Sequence, residues 1–193
     1  MRLRVREQAL PRPQIAVQVA LMTMFAALTA ASAQVRLHLP FTPVPVTGQV
    51  FAVLLAGAVL GPRLGLLSQL EYLAAGAAGL PVFAYGGGAL ALLGPTSGYL
   101  VAFPLAAWAV GTLVERTRAW GTVGASLACL AGVLVINAFG AGWYSVWALS
   151  VGQAVGLPSV IARSLYAFLA VDAVKALAAA SLARPVRARL LGA

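Results

Sequence analysis

The chain is a succession of apolar runs separated by short stretches in which charge, proline and glycine collect. A membrane-spanning helix takes about 20 mainly apolar residues, and the runs divide into six such segments. The first reads 14–35 and holds no charge. The second, 46–60, is short and follows the proline-rich stretch Pro40-Phe-Thr-Pro-Val-Pro45; the third, 64–80, carries Glu71 near its middle. The fourth starts near Pro95, a residue suited to a first helical turn, and ends near Val114. The fifth lies within 123–150, more than one straight span needs, and the sixth runs from about Leu165 to Ala183 with Asp172 and Lys175 inside it. The pattern predicts an all-α integral membrane domain at 14–183, between a basic arm at 1–13 and a basic tail at 184–193.

Composition narrows the functional classes. Hydrophobic residues make up 62% of the chain and charged residues 9%, against about 45–50% and about 25% in soluble domains. Disordered tails, soluble enzyme domains and disulfide scaffolds are excluded. A single cysteine, Cys129, allows neither an intrachain disulfide nor a cysteine-based metal cluster. The only lysine, Lys175, follows Val174, so no phosphate loop of the G-x-x-x-x-G-K-[ST] kind exists and ATP is not hydrolysed by that route. The single histidine, His38, has no acidic or cysteine residue near it in the chain to build a zinc site or a triad. The expectation is a protein with no cofactor, no metal and no covalent chemistry.

The net charge of +9 is unevenly spread. With both termini in the cytoplasm, Arg2, Arg4, Arg6, Arg12, Arg63, Arg116, Arg118, Arg184, Arg187 and Arg189 face inward, and only Arg36 and Arg163 face outward. That asymmetry follows the positive-inside rule and requires an even number of spans. The charge therefore reports topology in a bacterial cytoplasmic membrane and contact with anionic lipid, in preference to a nucleic-acid patch. Ala31-Ser32-Ala33 after a basic arm resembles a signal-peptide cleavage site, but the apolar run is at the long end for a signal, and cleavage would spoil the even count.

Charged groups inside a membrane persist where they are paired or bind something specific. Asp172 and Lys175, three residues apart, share one helix face at about 4.5 Å along the axis. They are placed either to neutralise one another or to hold one ligand jointly. An acceptor beside a donor matches a cyclic urea, whose two N–H groups need an acceptor and whose carbonyl needs a donor. Glu71 has no basic residue at helical spacing in its span, so its partner is another helix, a ligand or a proton. Asn137, Gln49 and Thr47 are polar candidates of the same kind and are also suited to joining helices.

Tyr85-Gly-Gly-Gly88 lets backbone approach a small molecule closely, Gly87 at its centre, and with the stretch 40–45 makes two external loops able to cover an outward-opening site. Tyr85, Phe83, Phe41, Trp143, Tyr144 and Trp147 can pack on an apolar ring or sit at the membrane interface. In the first span Ala16 and Ala20, Ala26 and Ala30, and Ala27 and Ala31 are spaced by four, which lets another membrane helix come close, inside this chain or in a partner.

Several stretches together carry a resemblance: Ala33-Gln-Val-Arg-Leu-His-Leu-Pro-Phe-Thr-Pro-Val-Pro-Val-Thr47, Phe51-Ala-Val-Leu-Leu-Ala-Gly57, Leu60-Gly-Pro-Arg-Leu-Gly65, Gly79-Leu-Pro-Val-Phe-Ala84, Leu93-Gly-Pro-Thr-Ser-Gly-Tyr99 and the terminal Asp172-x-x-Lys175. In this order, over about residues 15–183, the chain resembles the BioY family, the biotin-capturing S subunits of energy-coupling-factor (ECF) transporters. The resemblance implies a six-helix S-component fold, biotin capture from the outer face, and Asp172 and Lys175 as the ligand-contacting acid and base. Tyr85, Gly87, Phe41, Arg36 and Glu71 complete the expected substrate-binding set. It also implies that Ala16 and Ala20 belong to the surface meeting a transmembrane coupling subunit driven by two ATPase subunits, although some members are thought to act without that module. The chain departs from the family in a shorter glycine turn, in Ala170-Val171 where Pro-Gly is usual, and in Glu71 at a generally apolar position. A proton-coupled secondary transporter using Glu71, Asp172 and Lys175, and an S subunit for a different vitamin, are the alternative readings.

Overall fold

A computed structural model of the chain describes residues 15–38, 40, 44–153, 156 and 167–191. The described residues contain five α-helices: α1 (Ile15–Gln34), α2 (Gln49–Ala77), α3 (Ser97–Arg116), α4 (Gly121–Ser150) and α5 (Ala167–Leu191). A minimal antiparallel ribbon joins α1 to α2, with β1 (Arg36–Leu37) paired to β2 (Val46–Thr47) through Arg36 opposite Thr47 and Leu37 opposite Val46. Single 3-10 turns at Ala89–Leu93 and Arg118–Trp120 precede α3 and α4.

The spans expected at 46–60 and 64–80 form one element, α2, which doubles back at Gly61. Gly61 has φ +79° and ψ −178°, a conformation open in practice to glycine alone, and Pro62 behind it disfavours the helical conformation there. The reversal is visible in what the two arms bring together. Gln49 Nε2 donates to Tyr72 Oη at 2.6 Å although 23 residues separate them, and a Cβ placed on Gly65 would lie 3.0 Å from the Gly57 Cα. The first arm is apolar on every side and occupies the centre of the bundle, with Ala52, Val53, Leu54, Ala56 and Val59 at or near zero exposure. Small residues permit this: a Cβ on Gly57 would collide with the Ala107 backbone of α3.

Around that centre α3, α4, α5 and the second arm of α2 pack against one another, whereas α1 leans on α2. The outer faces are apolar: Val101, Leu105 and Trp108 on α3, Leu127, Leu134 and Phe139 on α4, and Val174 and Leu177 on α5 are all exposed. A continuous belt of this kind is stable against lipid rather than water. Helices α1, α2 and α3 and the segment 118–150 are each long and apolar enough to cross a membrane, and the molecule is a multi-pass membrane protein. Two boundaries differ from expectation. The fifth span is one helix of 30 residues, and the last helix does not stop at 183 but continues through Arg184, Pro185, Arg187 and Arg189 to Leu191. The basic arm at 1–13 lies outside the described residues.

Candidate functional site

At the ribbon end of the bundle a cavity of about 220 Å³ opens between α2, α3, α5 and the segment that joins α2 to α3. Its wall is mostly apolar, built from Val44, Val50, Phe83, Leu100, Phe103 and Phe168, with Tyr85 and Tyr99 adding rings that have a polar end. Tyr99 and Phe168 face each other with centroids 6.0 Å apart. Polar groups enter at two places. Thr47 and Gln49 come from the start of α2, and Asp172 and Lys175 from the first turns of α5.

The acid and the amine meet as their spacing predicts. Lys175 Nζ donates to Asp172 Oδ1 at 2.7 Å, with the two side chains 15% and 4% exposed. The second carboxylate oxygen, Oδ2, has only a long contact of 3.4 Å from Asn137 Nδ2 on α4. Asn137 is buried, its Nδ2 also donates to the Val133 carbonyl at 3.0 Å, and its Oδ1 has no partner among the described residues. The pair is therefore neutral as a unit yet keeps lone pairs on the acid and N–H groups on the amine to offer a third molecule. In an apolar wall such groups give direction to binding, since an unmatched polar atom there is costly.

A hydrogen-bonded chain fixes the roof. Thr47 Oγ1 donates to Gln49 Oε1 at 2.9 Å, Gln49 Nε2 donates to Tyr72 Oη at 2.6 Å, and Tyr72 Oη donates to the Val82 carbonyl at 3.3 Å. The Tyr72 and Phe83 rings meet edge to face at 5.4 Å. The ribbon, both arms of α2 and the segment carrying Phe83 and Tyr85 are thus tied through a partly buried Thr47 and through Gln49, Tyr72 and Phe83, which are almost wholly buried. Farther out, the Tyr85 hydroxyl and His38 Nε2 lie 3.1 Å apart, linking the two loops that the sequence places over the site. Partial burial raises the Tyr85 phenol above its ordinary value, and the charge of Arg36 opposes that rise.

The structure brings together part of the expected set. Asp172, Lys175 and Tyr85 line the cavity. Arg36 is exposed on the ribbon, near enough to act on Tyr85 by charge but not in the wall. Gly87 does not reach the cavity wall; a Cβ there would collide with the Leu80 carbonyl, so its close approach is to this chain's own backbone. Glu71 is elsewhere too, accepting a 2.7 Å hydrogen bond from Thr23 Oγ1 of α1, which makes it a link between α1 and α2. Phe41 lies outside the described residues. Ala16 and Ala20 are exposed on α1. Of the other aromatic candidates, Phe83 lines the cavity, whereas Trp143 donates to the carbonyl of the lining residue Gly94 at 2.8 Å and Tyr144 stacks on Trp147 at 6.1 Å, neither Trp143 nor Tyr144 forming part of the wall. Sequence reasoning missed Tyr72, Tyr99, Phe103 and Phe168, for which no charge or spacing gave a signal.

Comparison with known proteins bears on this geometry. Residues 5–192 match the family described as the BioY family. A probable biotin transporter BioY of Pyrococcus horikoshii is 40% identical over 167 residues, 86% of this chain and 93% of that one. The biotin transporter BioY of Rhizobium etli is 37% identical over 175 residues, 86% of this chain and 90% of that one. Among solved structures, the S-component for biotin from an ECF-type ABC transporter superposes with a TM-score of 0.80 at 25% identity, covering 89% of this chain and 91% of that one.

Proposed function

The chain belongs to the BioY family, and from that premise we propose that it captures biotin in the cavity at the ribbon end and takes part in biotin uptake as the S subunit of an ECF-type transporter. The observation that carries the reading is the Asp172–Lys175 pair set into an otherwise apolar wall. The ureido ring of biotin has two N–H donors flanking one carbonyl. Asp172 accepts from one of the donors, Lys175 donates to the carbonyl, and the apolar thiophane ring packs among Phe83, Tyr99 and Phe168. The free carboxylate points toward the mouth, where Arg36 balances its charge and Tyr85 lies between. The residues perform no covalent step: they desolvate, orient and release.

In the membrane each arm of α2 counts as one span, so that the five helices make six crossings, with both termini in the cytoplasm and the cavity opening outward. This orientation puts ten arginines inside, in the bacterial cytoplasmic membrane. The exposed small residues Ala16 and Ala20 on α1 suit close packing against a transmembrane coupling subunit, which two ATPase subunits would drive. Glu71 bonds to Thr23 and not to the cavity pair, which supports capture over a proton relay through Glu71, Asp172 and Lys175. Calorimetric titration of the purified chain tests the proposal. Tight binding of biotin with none of thiamine or riboflavin is expected, and tight binding of another vitamin in place of biotin would overturn it.

A further inference from the structure

We propose that the end of the bundle opposite the biotin cavity holds an anion site for one phosphate group. There a second cavity of about 400 Å³ lies between Ala58 of α2, the end of α3, the start of α4 and the last third of α5. Three guanidinium groups line it. Arg184 and Arg187 sit three apart on one face of α5, and Arg118 comes from the 3-10 turn after α3. One carboxylate, that of Glu115, shares the wall and pairs with none of them: among the described residues the ion pair formed is Lys175–Asp172. The cavity thus carries three positive charges against one negative, a surplus of two. Arg187 Nε is buried and has no hydrogen-bond partner among the described residues, which leaves an unmet donor on a residue of the cavity wall.

The donor set suits phosphate. Guanidinium groups present paired N–H donors that match two phosphate oxygens at once, and a surplus of two positive charges favours an anion over a neutral solute, covering the single charge of a phosphodiester headgroup or the one to two charges of free phosphate. The depth also fits. Trp120, next but one to Arg118, is 63% exposed, and tryptophan at that position marks the level of the lipid headgroups. An anionic phospholipid headgroup and free phosphate share this chemistry, and basic pockets between membrane helices hold such headgroups in other proteins.

The test uses the full chain in neutral detergent, titrated with phosphatidylglycerol or phosphatidylcholine and followed by native mass spectrometry. The wild type is expected to bind one phosphatidylglycerol about tenfold more tightly than phosphatidylcholine, and R184Q/R187Q to lose that preference. R63Q, which alters an exposed arginine beside the Gly61 turn but outside the cavity, keeps it. E115Q, which removes the one negative charge, binds phosphatidylglycerol more tightly, and it decides the matter alone should R184Q/R187Q fail to fold. Displacement of the lipid by inorganic phosphate at constant ionic strength assigns the site to the bare phosphate group; no displacement assigns it to the headgroup. Equal binding of both lipids by the wild type, an intact preference in folded R184Q/R187Q, or weaker binding by E115Q would each overturn the proposal. None of these results depends on biotin.

Discussion

Alanine at Asp172, at Lys175 and at both separates a structural ion pair from a ligand grip, because the two roles move stability and affinity in different ways. The pair is short, 2.7 Å, and its side chains are 4% and 15% exposed. Removing one partner of a buried pair leaves an uncompensated charge at about 3–5 kcal/mol. Lys175 reaches the cavity, where water can solvate it, so the lower end applies, about 3 kcal/mol. For a chain of this length that corresponds to a fall in Tm of roughly 6–12 °C in each single variant. The double variant removes both charges and recovers most of that loss. Affinity follows another course. Each charged partner makes a charge-assisted hydrogen bond to the ureido group worth about 1.5–3 kcal/mol, so each single variant weakens biotin by roughly 10- to 150-fold. In the double variant the loss persists, since no group remains to grip the ring. Thermal unfolding in detergent reads the first quantity and calorimetric titration with biotin the second. A double variant that binds biotin within about twofold of wild type would refute the reasoning, whatever its Tm.

Other expectations follow from named contacts. Tyr72→Phe leaves the Gln49 amide without its 2.6 Å acceptor, a buried donor orphaned at about 1–3 kcal/mol, and lowers Tm by several degrees; a shift under about one degree would show that the roof does not depend on this bond. Gly61→Ala forces a side chain into φ +79°, at about 1–3 kcal/mol, and its thermal unfolding falls accordingly; an unchanged Tm would mean that the α2 reversal relaxes freely. Glu71→Gln keeps a hydrogen-bonding group opposite Thr23 and leaves biotin affinity within about twofold in calorimetry; a collapse of affinity would return Glu71 to the site.

Much of this architecture was legible because apolar runs of spanning length are unambiguous in a chain with so few charges. The break between Leu60 and Leu64 was legible for the same reason that it exists, a glycine followed by proline at the end of a run. The ribbon at 36–37 and 46–47 was not, since two-residue strands carry no periodicity. Within the site, Asp172 and Lys175 could be paired from one helix alone. Asn137 could not be joined to them, because it comes from α4 and only packing brings it near. For Glu71 the sequence left another helix, a ligand and a proton open as partners, because Thr23 is an unremarkable polar residue in another helix. The three glycines after Tyr85 signalled a close approach, but not to what: at Gly87 the neighbour is the Leu80 carbonyl. The aromatic wall was invisible as a set, because Tyr99, Phe103 and Phe168 look like any other apolar residues in a membrane helix.

The structure of the chain with biotin bound tests the central claim most directly. A ureido nitrogen within about 2.7–3.1 Å of the Asp172 carboxylate, the ureido oxygen on Lys175 and the valerate tail toward the mouth are the predicted arrangement. Biotin reversed, with its carboxylate on Lys175 and its ureido ring at the mouth, would contradict it.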